Sequence, residues 1–352
     1  MPKPRLAILD DYQGIAAPKF AHLLHALDVE TFTDHLDPSD PAQQQALIER
    51  LRPFTIISTM RERTPLPASI ISALPNLQLV LTTGLKNASI DGAACSARSI
   101  VVAGAKGVGR TPSADHPTSL HSTLEHTWAL ILGISRNVAR DDTAVKSGGW
   151  ETSLATALHG KTLGVLGLGR LGADTARVGA LAFGMRVVAW SSTLTQERAD
   201  EATRVTGLPA GTFRVAGSKE ELLREADVVS VHYVLSERSK GLLGERELGL
   251  LKREAVLVNT SRGPLVDEGA LLRVLKEGRI RGAALDVFDR EPLPRDSEWR
   301  TVKWGKAYGR SEVLLSPHMG YAEEGVMHRW YEDTVQNVED WLAGKPLSTR
   351  IN

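Results

Sequence analysis

Short apolar runs and longer amphipathic stretches alternate along the chain. In the first hundred residues, runs of aliphatic and β-branched residues are separated by stretches in which apolar side chains recur with a 3.6-residue period, as at 40–52. Strands that alternate with helices indicate βαβ crossovers, which build a parallel sheet with helices on both faces. Strands are predicted at 6–10, 29–33, 55–59, 77–83 and 99–104.

A second series of the same kind begins at KTLGVLGLG (161–169). Residues 105–118 are rich in Gly, Pro, Ser and Asp, which is typical of a loop or a domain boundary. Residues 290–312 are polar and unusually long for a connection, so we predict a functional or partly mobile loop there. Further strands are predicted at 185–190, 227–234, 255–261, 282–288 and 312–318, and helices at 122–142, 170–183, 219–225, 267–277 and 323–345.

The composition is that of an ordinary globular protein. A length of 352 residues suits two domains, and 42 Lys and Arg balance 42 Asp and Glu. This neutral charge argues against a nucleic-acid or anionic-membrane surface. The single cysteine, Cys95, excludes an internal disulfide and a Cys-rich zinc site. With no export signal and no apolar stretch near the ~18 residues of a membrane span, we expect a cytoplasmic protein without membrane or nucleic-acid partners.

The motif GLGRLG at 167–172 has the form G-x-G-x-x-G and lies between a predicted strand and a predicted helix. In that setting Gly167 permits the tight turn, Gly169 lets the backbone approach a pyrophosphate, and Gly172 allows the helix to pack closely on the sheet. The free N–H groups at the start of the helix bind phosphate oxygens. The alternative is a glycine-rich turn in an ordinary βαβ unit. The context predicts a dinucleotide site.

The end of the following strand lacks an expected residue. An acid that binds the adenosine ribose normally occurs about 20 residues after the motif. Here the sequence reads AWSSTLT, so Ser191 or Ser192 takes that place, and the nearest downstream arginine is Arg198. The choice between NAD and NADP therefore stays open, with NAD preferred.

Charged residues also follow three other predicted strands. Arg262 lies in NTSRGPLVDEGAL, Glu291 in ALDVFDREP and His318 in SPHMGY. Taken singly, each fits an ordinary surface or loop residue. Beside a dinucleotide fold, however, a His that transfers protons, a Glu that orients it and an Arg make a hydride-transfer site. His121 and His126 lack the spacing of a helical metal pair, so they are interpreted as ordinary helix residues and no metal site is predicted.

The ordered set of motifs resembles the D-isomer-specific 2-hydroxyacid dehydrogenases, which include phosphoglycerate dehydrogenases and glyoxylate/hydroxypyruvate reductases. The resemblance covers almost the whole chain and also rests on TTGLKNASID (82–91), TLEHTWALIL (123–132) and SVHYVL (230–235). It implies that Arg262 binds the substrate carboxylate and carbonyl, that His318 is the acid/base and that Glu291 is its partner. It further implies a set of ligand contacts: Gly84 and Leu85 for the substrate, and Gly167, Gly169, Arg170, Leu171, Ser191, Ser192, His232, Thr260, Asp286 and Gly320 for the cofactor.

The resemblance also implies an architecture of two doubly wound parallel α/β domains. A Rossmann-type cofactor domain (105–318) is expected to be inserted into a flavodoxin-like substrate-side domain (1–104 and 319–352), with the chain forming a homodimer. No regulatory domain is expected after the last helix. Two departures from the family pattern, near 111–117 and 295–311, leave the substrate identity open.

The combined interpretation is an NAD(P)-dependent reductase of small 2-keto acids. Two alternatives remain. Formate dehydrogenases resemble the fold, but they pair the His with a Gln rather than with a Glu such as Glu291. A non-catalytic NAD(H)-sensing protein, like the transcriptional corepressors that share the fold, can retain the same three residues.

Overall fold

A computed structural model describes residues 3–107 and 122–352. The chain divides into two compact units, one formed by residues 1–111 and 323–352 and the other by residues 112–322. The predicted insertion near 111–117 and His121 lie outside the described residues. No helix in the described part of the chain is long and apolar enough to span a membrane.

The described residues alternate between strands and helices along both units. The strands are β1 Arg5–Leu9, β2 Asp28–Phe32, β3 Ile56–Thr59, β4 Leu79–Thr83, β5 Val101–Ala105, β6 Thr162–Leu166, β7 Arg186–Trp190, β8 Phe213–Val215, β9 Val228–Val231, β10 Val256–Asn259, β11 Gly282–Leu285 and β12 Glu312–Leu315. The α-helices are α1 Pro41–Leu51, α2 Ala68–Ala73, α3 Gly92–Ala97, α4 Ser122–Ser135, α5 Val138–Lys146, α6 Arg170–Phe183, α7 Gln196–Val205, α8 Lys219–Glu225, α9 Glu245–Leu248, α10 Glu268–Lys276, α11 Glu298–Thr301 and α12 Glu324–Leu342.

The first unit is a five-stranded parallel sheet with the order β2-β1-β3-β4-β5. This is the flavodoxin-like strand order. Helices α1, α2 and α3 bury apolar side chains such as Leu47, Ile70 and Cys95 against one face of the sheet. Helix α12 contacts β4 and β5. Helix α1 begins where the carboxylate of Asp40 caps two backbone N–H groups ahead of a proline at the first helical position.

The second unit is a seven-stranded parallel sheet with the order β12-β11-β10-β9-β6-β7-β8. Counted from β6, this is the Rossmann order 3-2-1-4-5-6 with a seventh strand added. The chain leaves β6 toward β7 on one side and later returns to β9 on the other, so the order of strands reverses at β6. Ligands of such sheets bind outside the carboxyl ends of the strands at that reversal. The predicted fold class, two doubly wound parallel sheets, is confirmed.

Three details of the predicted elements are wrong. The single helix over 122–142 is two helices, α4 and α5, because Asn137 adopts a left-handed conformation (φ 57°) between them. The edge strand β8 was not predicted, since only three residues pair there. The segment 290–312 is not one irregular loop, because it contains α11 and a short 3₁₀ helix at Lys306–Tyr308.

Candidate active site

The glycine-rich loop between β6 and α6 is shaped by close backbone contacts. Gly167 has φ 94°, and a Cβ built there would lie 2.6 Å from the carbonyl oxygen of His232. A Cβ built at Gly172 would lie 2.0 Å from the carbonyl oxygen of Gly167. Both positions therefore require glycine, one for the turn and one for the approach of α6 to the strand end.

At Gly169 the backbone of the glycine-rich loop is accessible to a ligand. Apart from its chain neighbours and the backbone of α6, no atom of the described residues lies within 4 Å of a Cβ built at Gly169. Gly169 is the N-cap of α6 and has no side chain to cap the N–H groups of the first turn, which begins with Arg170 and Leu171. A helix N-terminus with free N–H groups binds phosphate oxygens and favours negative charge. The residues present therefore fit a dinucleotide pyrophosphate.

Other predicted cofactor residues lie along the carboxyl edge of the same sheet. Ser191 and Ser192 follow β7, and His232 follows β9. The His232 ring bonds to Ser230 Oγ at 2.8 Å, and burial lowers its pKa to about 4, so it is neutral at pH 7. Thr260 follows β10, and its hydroxyl bonds to that of Thr127 on α4 at 2.8 Å. Their contacts with a cofactor stay predictions.

A histidine and a carboxylate form a bonded pair after β11 and β12. Nδ1 of His318 bonds to Oε2 of Glu291, and Oε1 of Glu291 accepts the backbone N–H of Phe288 at 2.9 Å. Each side chain of the pair is about one-fifth exposed, 22% for His318 and 21% for Glu291. Because a carboxylate only accepts, the ring hydrogen on Nδ1 is held there, and Nε2 remains for a second partner. The ring of Tyr321 contacts the His318 ring edge-on, with centroids 5.5 Å apart.

The loop that carries His318 is anchored by Asp286. His318 has φ 55°, a backbone conformation that side chains other than glycine rarely adopt. The next two N–H groups donate to the Asp286 carboxylate, Met319 N to Oδ1 at 2.7 Å and Gly320 N to Oδ2 at 2.9 Å. The predicted cofactor residues Asp286 and Gly320 are thus in contact with each other, and their geometry supports a role in holding His318.

One participant in this anchor was interpreted wrongly from the sequence. His126 on α4 is not an ordinary helix residue, since its Nε2 lies 3.0 Å from Asp286 Oδ1 and 2.8 Å from Ser316 Oγ. Burial raises the pKa of Asp286. The hydrogen bonds from His126, Ser316 and the two N–H groups outweigh that effect and bring the pKa below its ordinary value of 3.8. Asp286 is therefore an ionised acceptor.

Arg262 lies after β10, at the same edge of the sheet. Its guanidinium donates to the carbonyl oxygen of Ser261 at 2.8 Å. The adjacent Gly263 packs on the loop that carries Glu291, because a Cβ built there would lie 2.1 Å from the carbonyl oxygen of Phe288. Within the described residues no hydrogen bond joins Arg262 to the His318–Glu291 pair.

The two predicted substrate residues outside this sheet belong to the first unit. Gly84 and Leu85 follow β4, where Gly84 has φ 93° and Leu85 is half exposed. The guanidinium of Arg61 lies 3.4 Å from the position of a Cβ at Gly84. Their part in substrate binding stays a prediction.

The described residues offer no site for a metal ion. Within 3–107 and 122–352, no group of three or more His, Cys, Asp or Glu side chains is arranged to hold one.

Comparisons with known proteins agree with this geometry. Residues 128–320 match the family model for the D-isomer specific 2-hydroxyacid dehydrogenase NAD-binding domain. The chain is 33% identical to a glyoxylate reductase of Aeropyrum pernix over 92% of this chain and 90% of that protein. An oxidoreductase from Ralstonia solanacearum superposes with a TM-score of 0.81 at 29% identity, covering 99% of this chain and 96% of that one. A phosphoglycerate oxidoreductase from Vibrio cholerae gives 0.80 at 30% identity, covering 97% and 99%.

The predicted resemblance and the predicted NAD(P) cofactor are thus confirmed, and the preference for NAD over NADP stays a prediction. The chain belongs to the D-isomer specific 2-hydroxyacid dehydrogenase family, whose members are NAD(P)-dependent oxidoreductases acting on CH–OH groups, and residues 128–320 form its NAD-binding domain.

Proposed function

We propose that the protein interconverts a small 2-keto acid and the corresponding D-2-hydroxy acid, with His318 as the acid/base. The bonded pair of His318 and Glu291 at the carboxyl edge of the NAD-binding sheet is the observation that carries the proposal. A proton-transferring imidazole held by a carboxylate at a dinucleotide site matches the needs of carbonyl reduction.

His318 transfers the proton in this proposal, and Glu291 orients His318. The bound nicotinamide supplies the hydride in the direction of reduction. Nε2 of the protonated His318 gives its proton to the carbonyl oxygen of the keto acid, so that oxygen becomes a hydroxyl. Glu291 accepts the Nδ1 hydrogen of His318 throughout, which keeps the ring oriented and stabilises its positive form. In the direction of oxidation Nε2 takes the hydroxyl proton.

Arg262 holds the substrate in this proposal. Its planar guanidinium can bind a carboxylate with two parallel hydrogen bonds and can polarise the neighbouring carbonyl. The similarity to a glyoxylate reductase supports a small 2-keto acid as the substrate.

Two further properties are part of the proposal. Trp150 and Leu154 of the second unit are 75% and 92% exposed. Such apolar side chains are costly to leave in water, so we assign them to contact with a second copy of the chain in a homodimer. An enzyme that consumes NADH works where that cofactor pool is maintained, and we place this one in the cytoplasm.

The test is turnover of a panel of keto acids with purified protein. Glyoxylate, hydroxypyruvate, pyruvate and bulkier 2-keto acids are each offered with NADH and with NADPH, and the loss of absorbance at the nicotinamide band is followed. The proposal expects reduction of at least one small 2-keto acid, with formation of the D-isomer wherever the product is chiral. A separate reaction offers formate with NAD⁺, and its oxidation in place of keto-acid reduction would identify a formate dehydrogenase. Tight cofactor binding without turnover of any keto acid would identify a non-catalytic sensor.

A further inference from the structure

A hydrogen bond spans the crevice in which Rossmann sheets bind their dinucleotide. Strand β6 lies between β9 and β7, and the glycine-rich loop leaves its end. Tyr233 follows β9, and its phenol reaches past that loop to the turn after β7, where its hydroxyl accepts the backbone N–H of Ser192 at 2.9 Å. The same phenol lies 3.4 Å from Ser192 Oγ and donates toward it. One side chain thus engages both polar groups of Ser192.

Packing fixes the phenol in this position. The Tyr233 ring stacks on the ring of Trp190, the last residue of β7, with centroids 6.2 Å apart and planes 23° apart. Both rings pack against the buried core of the second unit. Beside them, Val234 and Leu235 leave apolar surface in solvent, at 82% and 37% exposure. The crevice therefore has aromatic and aliphatic walls, and the bond from Tyr233 to Ser192 lies at its polar end.

Ser192 is one of the two serines at the position that usually governs cofactor choice. It follows the glycine motif by about the 20 residues at which an acid usually binds the ribose 2′-hydroxyl and repels a 2′-phosphate. Residues 191–195 read SSTLT and contain no acid. The exposed guanidinium of Arg198 lies at the same turn and donates to the carbonyl oxygen of Thr193 at 3.2 Å. Charge alone would therefore admit a 2′-phosphate at this turn.

We propose that Tyr233 is the residue that makes this site select NAD(H) over NADP(H), in place of the missing acid. A 2′-phosphate needs hydrogen-bond donors, and the backbone N–H of Ser192 is one that the turn would offer. The Tyr233 hydroxyl already accepts that N–H and directs its own hydrogen toward Ser192 Oγ, so both donors are engaged before a phosphate could bind them. The ribose 2′-hydroxyl of NAD(H) can donate to an oxygen and is not penalised in this way. The selection therefore arises from a side chain on the neighbouring loop.

The test uses binding, so it is independent of turnover and of the keto acid assigned under the proposed function. Dissociation constants of NADH, NADPH, 5′-AMP and 2′,5′-ADP are measured by calorimetry for the wild type and for Tyr233→Phe. Tyr233→Phe keeps the stacked ring and frees the Ser192 N–H. Tyr308→Phe is the matched control, because it removes a phenol hydroxyl from the exposed 3₁₀ helix at Lys306–Tyr308, which carries no predicted cofactor residue.

The wild type is expected to bind 5′-AMP more tightly than 2′,5′-ADP. Because a hydrogen bond to a charged group is worth about tenfold or more in binding, Tyr233→Phe should tighten the binding of NADPH and 2′,5′-ADP by about 10-fold. Tyr233→Phe should leave the values for NADH and 5′-AMP within about 3-fold of wild type, and Tyr308→Phe should leave the ratio of the two cofactors unchanged. A wild type that prefers 2′,5′-ADP would overturn the proposal whether or not the variant folds. An unchanged ratio in folded Tyr233→Phe would also overturn it.

Discussion

Replacing Asp286 by Asn should separate the positioning of His318 from the stability of the fold. The side chain of Asp286 is 1% exposed and accepts bonds from Met319 N, Gly320 N, His126 Nε2 and the side chain of Ser316. The amide of Asn keeps one acceptor oxygen, but its NH₂ group replaces the second. One donor that Asp286 accepts in the wild type then faces another donor and loses its hydrogen bond. A bond to a charged group contributes about 1.5–3 kcal/mol, and an unsatisfied buried donor costs about 1–3 kcal/mol. We expect the free energy of unfolding to fall by about 2–4 kcal/mol.

Asp286→Asn should also lower kcat by more than its loss of stability explains. His318 keeps its left-handed backbone because the two following N–H groups bind Asp286. A displacement of about 1 Å in a reacting group can cost about 100-fold in rate. We therefore expect kcat to fall by about 100-fold in steady-state reduction of the best keto acid, under conditions in which circular dichroism shows the variant folded.

Asp227→Asn is the matched control. Asp227 also has a lowered pKa: burial raises it, but bonds from Thr162 N (2.8 Å) and Lys252 Nζ (3.0 Å) outweigh the effect. It lies at the opposite, amino end of the same sheet, just before β9. We expect a loss of stability in urea denaturation with kcat within about 3-fold of wild type. If Asp286→Asn kept wild-type kcat, or lost no more than Asp227→Asn, the anchoring role would be refuted.

The difference in unfolding free energy between the wild type and Asp286→Asn should become smaller at low pH. The pKa of Asp286 is lower in the folded protein than the ordinary 3.8, so the folded state holds the ionised form more firmly than the unfolded state. Its contribution is complete above that ordinary value and is lost as pH falls through the lower folded value. The difference between wild type and variant should be constant from about pH 8 to 5 and should shrink below about pH 4. A difference that grew on acidification would contradict the assignment of an ionised anchor.

Three other changes test separate parts of the site. Arg262→Lys keeps the charge and loses the planar fork, so the KM for the keto acid should rise and kcat should fall; equal kinetics for both enzymes would remove the two-bond role. Ser191→Asp or Ser192→Asp should raise the ratio of kcat/KM for NADH to that for NADPH by about tenfold for each 1.4 kcal/mol of repulsion, and an unchanged ratio would place the cofactor choice elsewhere. Gly172→Ala would put a methyl group 2.0 Å from the carbonyl oxygen of Gly167, so NADH binding measured by fluorescence should weaken about 10-fold or more, and unaltered binding would show that the loop has room to move.

The sequence predicts the fold well because parallel strands carry a strong local signal. Strands buried on both faces appear as continuous apolar runs, and GLGRLG marks the turn after β6 without reference to the rest of the chain. Several predicted strands of the second unit extend too far at their carboxyl ends. At 227–234, for example, pairing stops at Val231, and His232 and Tyr233 belong to the loop that lines the crevice. Apolar residues that line a binding site are indistinguishable in sequence from apolar residues of a strand.

Local sequence patterns do not predict contacts between side chains that are far apart in the sequence. His126 and Asp286 are 160 positions apart, and each lies in a segment whose local pattern is satisfied without the other. Tyr233 and Ser192 are 41 positions apart and meet only because β9 and β7 flank β6. The pair His318 and Glu291 was predicted because the motifs that contain them resemble those of a known family. Spacing alone would have left both as ordinary loop residues.

The central claim is that His318 transfers the proton in keto-acid reduction, and His318→Ala tests it most directly. We would measure kcat for the best substrate of the panel and, in the same samples, the dissociation constant of NADH. General acid catalysis contributes about 10²–10⁴-fold, so kcat should fall by that factor while NADH affinity stays within about 3-fold of wild type. A variant that keeps a near wild-type kcat would contradict the account, because another group would then have to supply the proton.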